Sequence, residues 1–203
     1  MIKNIIFDFG DIFINLDKKA TSNEFQKLGI TEVSSELKSI LNQYEEGIIS
    51  TDDFIAFFEH NYKVTAKEVV FAWNAILLNF PKHRLKFLKD LAASNQFRLF
   101  LLSNTNDLHI ANIKEKWGAV LYDEFKNCFE QFYLSYEIHL SKPNSAIYQF
   151  VLDKNNLKAH ETLFVDDLKE NTDAASKLGI STWNLLPGKD DVTDLFIKNK
   201  NIF

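Results

Sequence analysis

Apolar runs of strand length recur along the chain, and each ends in small or acidic residues. Ile5-Ile6-Phe7 runs into Asp8-Phe9-Gly10-Asp11, Phe97 to Leu102 into Ser103-Asn104-Thr105-Asn106, and Thr162 to Val165 into Asp166-Asp167. None alternates cleanly between apolar and polar, the pattern of strands covered on both faces. Weaker strands are predicted at Phe132–Tyr136 and Ile180–Leu185. Between the runs the apolar period becomes helical: Leu85, Leu88, Leu91 and Ala92 share a face, as do Ile147, Phe150 and Val151. Asn171 to Leu178 reads as a helix stopped by Gly179. Strand alternating with helix predicts right-handed crossovers and a doubly wound, Rossmann-like parallel sheet of the α/β class.

One stretch breaks this rhythm. From Asp17 to Phe80 the apolar positions keep helical spacing only, as in Phe25-Leu28, Leu37-Ile40-Leu41-Tyr44, Phe54-Ile55-Phe57-Phe58 and Val69-Val70-Trp73-Ile76-Leu77. Helix starts are predicted at Thr21-Ser22-Asn23-Glu24, Ser50-Thr51-Asp52-Asp53 and Thr65-Ala66-Lys67-Glu68, the last with a capping-box pattern. Pro81 marks the return to the core. The division predicted is an α/β core of residues 1–16 and 81–203 with a small all-helical domain, 17–80, inserted after the first strand.

Composition narrows the function. Hydrophobic residues are 46% and charged residues 25% of 203, enough for a full core and against wholesale disorder. The net charge of −5, with arginine only at positions 84 and 98, argues against nucleic acid as a partner. The single cysteine, Cys128, excludes an internal disulfide and fits a reducing compartment. The apolar run before Asp8 is too short for a signal peptide or a membrane helix, so a cytoplasmic protein without membrane contact is expected.

In open α/β sheets ligands collect at the carboxyl ends of the strands. Here those ends carry Asp8, Ser103 with Asn104, and Asp166 with Asp167. Carboxylates converging on one rim need a counter-charge. A hard divalent cation with oxygen ligands supplies it, and Mg²⁺ is the usual choice where phosphate also binds. Lys142, before Pro143, adds a point charge aimed at an anion, with a helix expected to begin at the proline.

Four motifs in order carry a family resemblance: Ile5 to Phe13 around Asp8, Leu101-Leu102-Ser103-Asn104-Thr105, Ser141-Lys142-Pro143, and Phe164-Val165-Asp166-Asp167 followed by Asn171. Together they resemble the haloacid dehalogenase-like superfamily of phosphohydrolases, and the insert stands where that superfamily carries its cap. Asp8-Phe9-Gly10, Ser103 to His109 and Glu45 to Ser50 look like members resembling α-D-glucose-1-phosphate phosphatase, with the phosphatase domain of soluble epoxide hydrolase more distant. The resemblance implies Asp8 as a nucleophile forming an aspartyl-phosphate. It implies Mg²⁺ held by Asp8, the Gly10 carbonyl, Asp167 and Asp166, and phosphoryl oxygens held by Ser103, the Asn104 backbone amide and Lys142.

The chain departs from the superfamily two residues after Asp8, where the usual acid/base aspartate is replaced by Gly10. The subgroup shares that glycine. Asp11 is a weak substitute, because neighbouring residues of an extended chain point to opposite faces. His109 and His139 lie close to the motifs in sequence, and both read first as ordinary polar positions. Tyr44, Glu45 and Glu46 before Gly47 form a possible tip facing the site, and Trp73 reads as core of the insert. The function expected is a Mg²⁺-dependent phosphatase of a small phosphorylated metabolite, with a sugar phosphate as the leading candidate. The alternatives are a haloacid dehalogenase, which needs no metal but an arginine beside its nucleophile, and a degenerate member that binds a phosphorylated ligand or partner without turnover.

Overall fold

A computed structural model describes all residues, 1–203. Five strands, β1 (Asn4–Phe7), β2 (Arg98–Ser103), β3 (Gln131–Leu134), β4 (Thr162–Asp166) and β5 (Ser181–Asn184), form one sheet in the order β3-β2-β1-β4-β5. Every neighbouring pair is parallel. β1 is central, and the chain winds outward from it in both directions, which is the doubly wound arrangement. In register, Phe7 lies opposite both Leu101 and Val165, so Asp8, Ser103 and Asp166 reach the same edge.

The strands are apolar throughout because alternate residues feed two cores. Ile5, Phe7, Leu99, Leu101, Leu163 and Val165 face one cluster, shared with α5 (Lys82–Ala93) and α6 (Asp107–Lys126). Ile6, Phe100, Leu102 and Phe164 face the other, shared with α8 (Ser145–Lys154) and α9 (Lys169–Ser176). Phe7, Phe100 and Phe164 are fully buried, each contributing about 1.5–3 kcal/mol. A four-residue helix, α7 (Ser135–Ile138), follows β3, and α10 (Leu195–Lys198) lies near the C-terminus.

Helices α1 (Ala20–Lys27), α2 (Ser35–Glu45), α3 (Thr51–Tyr62) and α4 (Ala66–Asn74) lie between β1 and α5. Their buried side chains, Phe25, Leu37, Tyr44, Phe54, Phe58, Val69 and Trp73 among them, form a third, separate cluster. Ser50 and Thr65 close capping boxes with Asp53 and Glu68. The segments entering and leaving these helices run side by side: Asp17 N–H donates to the Ile76 carbonyl at 2.9 Å, and Leu78 N–H to the Asn15 carbonyl at 3.0 Å.

Four local expectations are corrected. Helix α1 begins at Ala20 without a side-chain cap, and Thr21 lies inside it, its hydroxyl donating to the Trp73 carbonyl at 3.2 Å. Helix α4 ends at Asn74, because Ile76 and Leu77 turn to the core, where Leu77 bridges Leu16. Strand β3 ends at Leu134, opposite the last residue of β2, and Ser135 and Tyr136 enter α7 instead. Pro143 is not a helix start: Asn144 caps α8, its side chain accepting from Ala146 N–H at 3.0 Å.

Candidate active site

The edge formed by the carboxyl ends of the strands is densely charged. Carboxylate oxygens of Asp8, Asp166 and Asp167 all lie within 4.8 Å of one another. Lys142 reaches between two of them, its ammonium 2.7 Å from Asp8 Oδ1, 2.7 Å from Asp166 Oδ2 and 2.9 Å from the Leu102 carbonyl. Its side chain is 1% exposed, so all three of its donors are spent inside the protein. Burial opposes the Lys142 charge, and the attraction of Asp166 and Asp8 outweighs it, holding the ammonium above its ordinary value. Burial raises the Asp8 carboxyl well above the usual range; Lys142 pulls it down, while Asp166 and Asp167 push it further up. One ammonium does not neutralise three carboxylates. Asp167 is raised by burial against the pull of Lys18, a half-exposed residue that contacts Asp167 and lies 3.2 Å from Asp11. An all-oxygen donor set with residual negative charge fits a hard divalent cation such as Mg²⁺.

Supporting bonds fix these groups. Asn171 Nδ2 donates to both oxygens of Asp166 at 3.0 Å, and Leu168 N–H donates to Oδ1 at 2.8 Å. Asn104 clamps the Lys142 backbone, its Oδ1 accepting from Lys142 N–H and its Nδ2 donating to the Lys142 carbonyl, both at 2.9 Å. This role of the Asn104 side chain, 38 residues from Lys142 in the chain, has no signature in the sequence. Ser103 is buried, and it borders a cavity of about 110 Å³ together with Gly10, Asn104, Thr105, Glu45 and His109. Leu16, Ile76 and Leu77 give that cavity its apolar wall.

The space at Gly10 is taken. A Cβ there would stand 2.7 Å from Leu16 Cδ1, so the leucine occupies the direction in which an aspartate side chain would project. Asp11 adopts a left-handed backbone, φ 55°, and is buried. Its Oδ1 accepts from Leu16 N–H at 3.0 Å and its Oδ2 faces Lys18. Both oxygens are engaged in its own loop, away from the cavity.

His109 is a structural group. Nδ1 faces Asn106 Nδ2 at 3.2 Å, Nε2 faces the Trp73 carbonyl at 3.1 Å, and the ring stacks on Trp73 with centroids 5.4 Å apart. Burial lowers it to about 4, so near neutral pH it carries no charge. Tyr44 is buried in the insert's cluster, and its hydroxyl accepts from Leu108 N–H at 3.2 Å. Trp73 is likewise buried there, with Nε1–H donating to Asn106 Oδ1 at 3.1 Å. His139 contacts the Glu46 carbonyl at 2.9 Å, and Ser141 donates to the Glu46 side chain, so Glu46 is not a free surface group.

Ser135 and Lys18 escaped the sequence reading. The Ser135 hydroxyl meets the Glu45 carbonyl at 2.6 Å and the Thr105 carbonyl at 2.9 Å, and it accepts from Thr105 N–H at 2.9 Å. Gly47, φ 64°, presses so closely on the core that a Cβ would come within 2.1 Å of the Tyr136 carbonyl oxygen. The segment Tyr44 to Gly47 is thereby seated on the core. The two arginines are elsewhere: Arg84 pairs with Asp191 at 2.9 Å, and Arg98 pairs with Glu130 at the opposite end of β2. No helix is long and apolar enough to cross a membrane.

Comparison with known proteins places this architecture. The chain is 28% identical over 197 residues to the D-ribitol-5-phosphate phosphatase of Bacteroides thetaiotaomicron, covering 94% of this chain and 95% of that one. It is 30% identical over 154 residues to the glyceraldehyde 3-phosphate phosphatase of Methanocaldococcus jannaschii, covering 75% of this chain and 58% of the relative. The crystal structure of the HAD family enzyme bt-2542 of Bacteroides thetaiotaomicron, in complex with magnesium and inorganic phosphate, superposes with a TM-score of 0.80 at 30% identity, covering 94% of this chain and 97% of the other. Residues 2–179 match the haloacid dehalogenase-like hydrolase model, and with the parallel sheet and acidic rim already described, the chain belongs to that hydrolase family.

Proposed function

We propose that the protein is a Mg²⁺-dependent phosphatase of a small phosphorylated metabolite, a sugar or polyol phosphate, with Asp8 as nucleophile. The observation that carries this is the rim itself: three carboxylates within ligand distance of one another, and a fully buried lysine bridging two of them. Asp8, the Gly10 carbonyl, Asp167 and Asp166 would hold the cation, which when bound neutralises phosphoryl charge and lets a dianion approach a carboxylate. Phosphatases among the relatives, and a similar enzyme crystallised with magnesium and phosphate, support the same reading.

The chain's residues divide the work. Asp8 attacks phosphorus in line, giving an aspartyl-phosphate that water then hydrolyses. The Ser103 hydroxyl, the Asn104 backbone amide and Lys142, which would exchange its Asp8 contact for the phosphoryl group, receive the equatorial oxygens, where charge spreads in the transition state. Residues 17–80 serve as a cap: Glu45 at their tip borders the small cavity that Gly10, Ser103 and Asn104 also line, where it would exclude water and limit the size of the alcohol released. A dehalogenase would need an arginine by the nucleophile, and Arg84 and Arg98 are both bound elsewhere.

The test is phosphate release from a panel that includes D-ribitol 5-phosphate, glyceraldehyde 3-phosphate, α-D-glucose 1-phosphate and nucleoside monophosphates, with Mg²⁺ and with chelator. Hydrolysis confined to the small sugar or polyol phosphates and abolished by chelator is expected. Turnover indifferent to chelator, or none across the panel, would overturn the reading.

A further inference from the structure

Position 10, where the superfamily carries its acid/base aspartate, is glycine, and Leu16 Cδ1 stands 2.7 Å from where a Cβ would lie. Resting on the phosphatase reading above, we propose that Glu45, contributed by the helical insert, is the general acid and base of the reaction.

Of the residues that line the cavity at Gly10, only Glu45 and His109 titrate. His109 has both ring nitrogens engaged and its ring stacked on Trp73. Asp11 does not line the cavity, and both its oxygens are occupied. Glu45 makes no side-chain hydrogen bond or ion pair, although its backbone carbonyl is anchored by Ser135. Its main chain is thus held while its carboxyl is free to act. Gly10, Ser103 and Asn104 line the same cavity, and a Cβ on Gly10 would stand 4.0 Å from Asp8 Oδ2.

Burial, aided by repulsion from Glu46, pushes the Glu45 carboxyl up to about 7, the range that lets one group give and take a proton near neutral pH. The other ionisable groups around the tip are Tyr44 and Glu46 beside it, Asp107 and His109 on α6, and Tyr136, Glu137 and His139 at α7, with Asp8 and Lys142 at the rim. The cavity has room for roughly three or four water-sized groups, which suits the hydroxyl-bearing end of a small alcohol.

The chemistry balances. As Asp8 attacks, the bond from phosphorus to the ester oxygen breaks, its electron pair passes to that oxygen, and the Glu45 proton follows, releasing a neutral alcohol. The Glu45 carboxylate then takes a proton from the water that attacks the aspartyl-phosphate. The bond from phosphorus to Asp8 breaks, releasing inorganic phosphate and restoring the Asp8 carboxylate and the Glu45 acid.

The experiment compares kcat/KM for glycerol phosphate, whose alkoxide must be protonated, with p-nitrophenyl phosphate, whose leaving group departs unaided. In Glu45→Gln the first should fall about 100-fold or more and the second less than about threefold. Glu45→Asp, which keeps a carboxyl, should narrow that gap, and thermal unfolding checks that both variants fold. Equal losses on both esters, or Gln and Asp variants that behave alike, would show that the Glu45 proton is not used. If the wild type is inactive on both esters, the best substrate of the panel above replaces glycerol phosphate in the same comparison, and inactivity there too overturns the phosphatase reading and this assignment with it.

Discussion

The acidic rim and the tip of the helical insert are built by opposite means, although the cavity under the tip is lined by Gly10, Ser103 and Asn104, chain neighbours of the rim and its motifs. The rim is over-determined: Lys142 is 1% exposed and shared between Asp8 and Asp166, Asn171 grips Asp166 and Asn104 grips Lys142. The tip rests on a few backbone contacts, chiefly Ser135 on the Glu45 carbonyl, His139 on the Glu46 carbonyl and the close approach at Gly47. Phosphoryl transfer explains the contrast. The charge to be stabilised is common to every phosphate ester, so the rim gains from rigidity. On the proposed reading the alcohol differs between substrates and must enter and leave, so a tip held by few contacts would suit opening.

Breaking the rim should therefore cost most. Lys142→Met leaves Asp8 and Asp166 buried without their cation. Stability should fall by about 3 kcal/mol or more, read from denaturant unfolding without metal, and turnover should be lost. An unfolding midpoint close to wild type would mean that the Lys142 pairs do not hold the rim together.

Gly47→Ala tests the tip. At φ 64°, with a Cβ driven onto the Tyr136 carbonyl, the tip must lift from the core. We expect a loss of roughly 1–3 kcal/mol and a fall in kcat with the rim's phosphate affinity retained. Equal losses of phosphate affinity and kcat would show that tip and rim are one unit.

The rim was legible in the sequence, whereas the tip's place, Tyr44 to Gly47, was legible but its anchoring was not, for a physical reason. Asp8, Ser103 and Asp166 end strands, so short apolar runs locate them, and parallel register brings them together. The tip depends on partners far apart in the chain: Ser135 lies 90 residues from Glu45 and His139 lies 93 from Glu46. No local pattern marks a hydroxyl that will meet a carbonyl across two clusters. The same limit explains β3, where the predicted strand runs on to Tyr136 but pairing with β2 stops at Leu134. It also explains Leu16, whose occupation of the space at Gly10 requires the loop to fold back on itself.

A subtler separation of tip from rim lies in pH. The Glu45 carboxyl is raised from 4.5 to about 7 in the folded protein. A carboxyl raised on folding stabilises the protein at low pH, and that contribution fades as pH rises through the folded value. Between about pH 4.5 and 7 the wild type should thus lose stability with rising pH more steeply than Glu45→Gln, measured by thermal unfolding without metal. Parallel curves would mean that Glu45 is solvated as in the unfolded chain. The smallest effect is expected from Arg98→Ala, which removes a partly exposed pair with Glu130 at the far end of β2. It should cost about 1 kcal/mol or less and leave kcat unchanged; a large loss of activity would revive a role for arginine.

The most direct test of the central claim is an acid-quenched single turnover with excess enzyme, comparing wild type with Asp8→Asn on a small sugar or polyol phosphate in Mg²⁺. The wild type should carry a transient phosphoryl group that maps to Asp8 and decays into inorganic phosphate. Asp8→Asn should form none and turn over at least about 10⁴-fold more slowly. Phosphate release at the wild-type rate by a folded Asp8→Asn protein would contradict the mechanism.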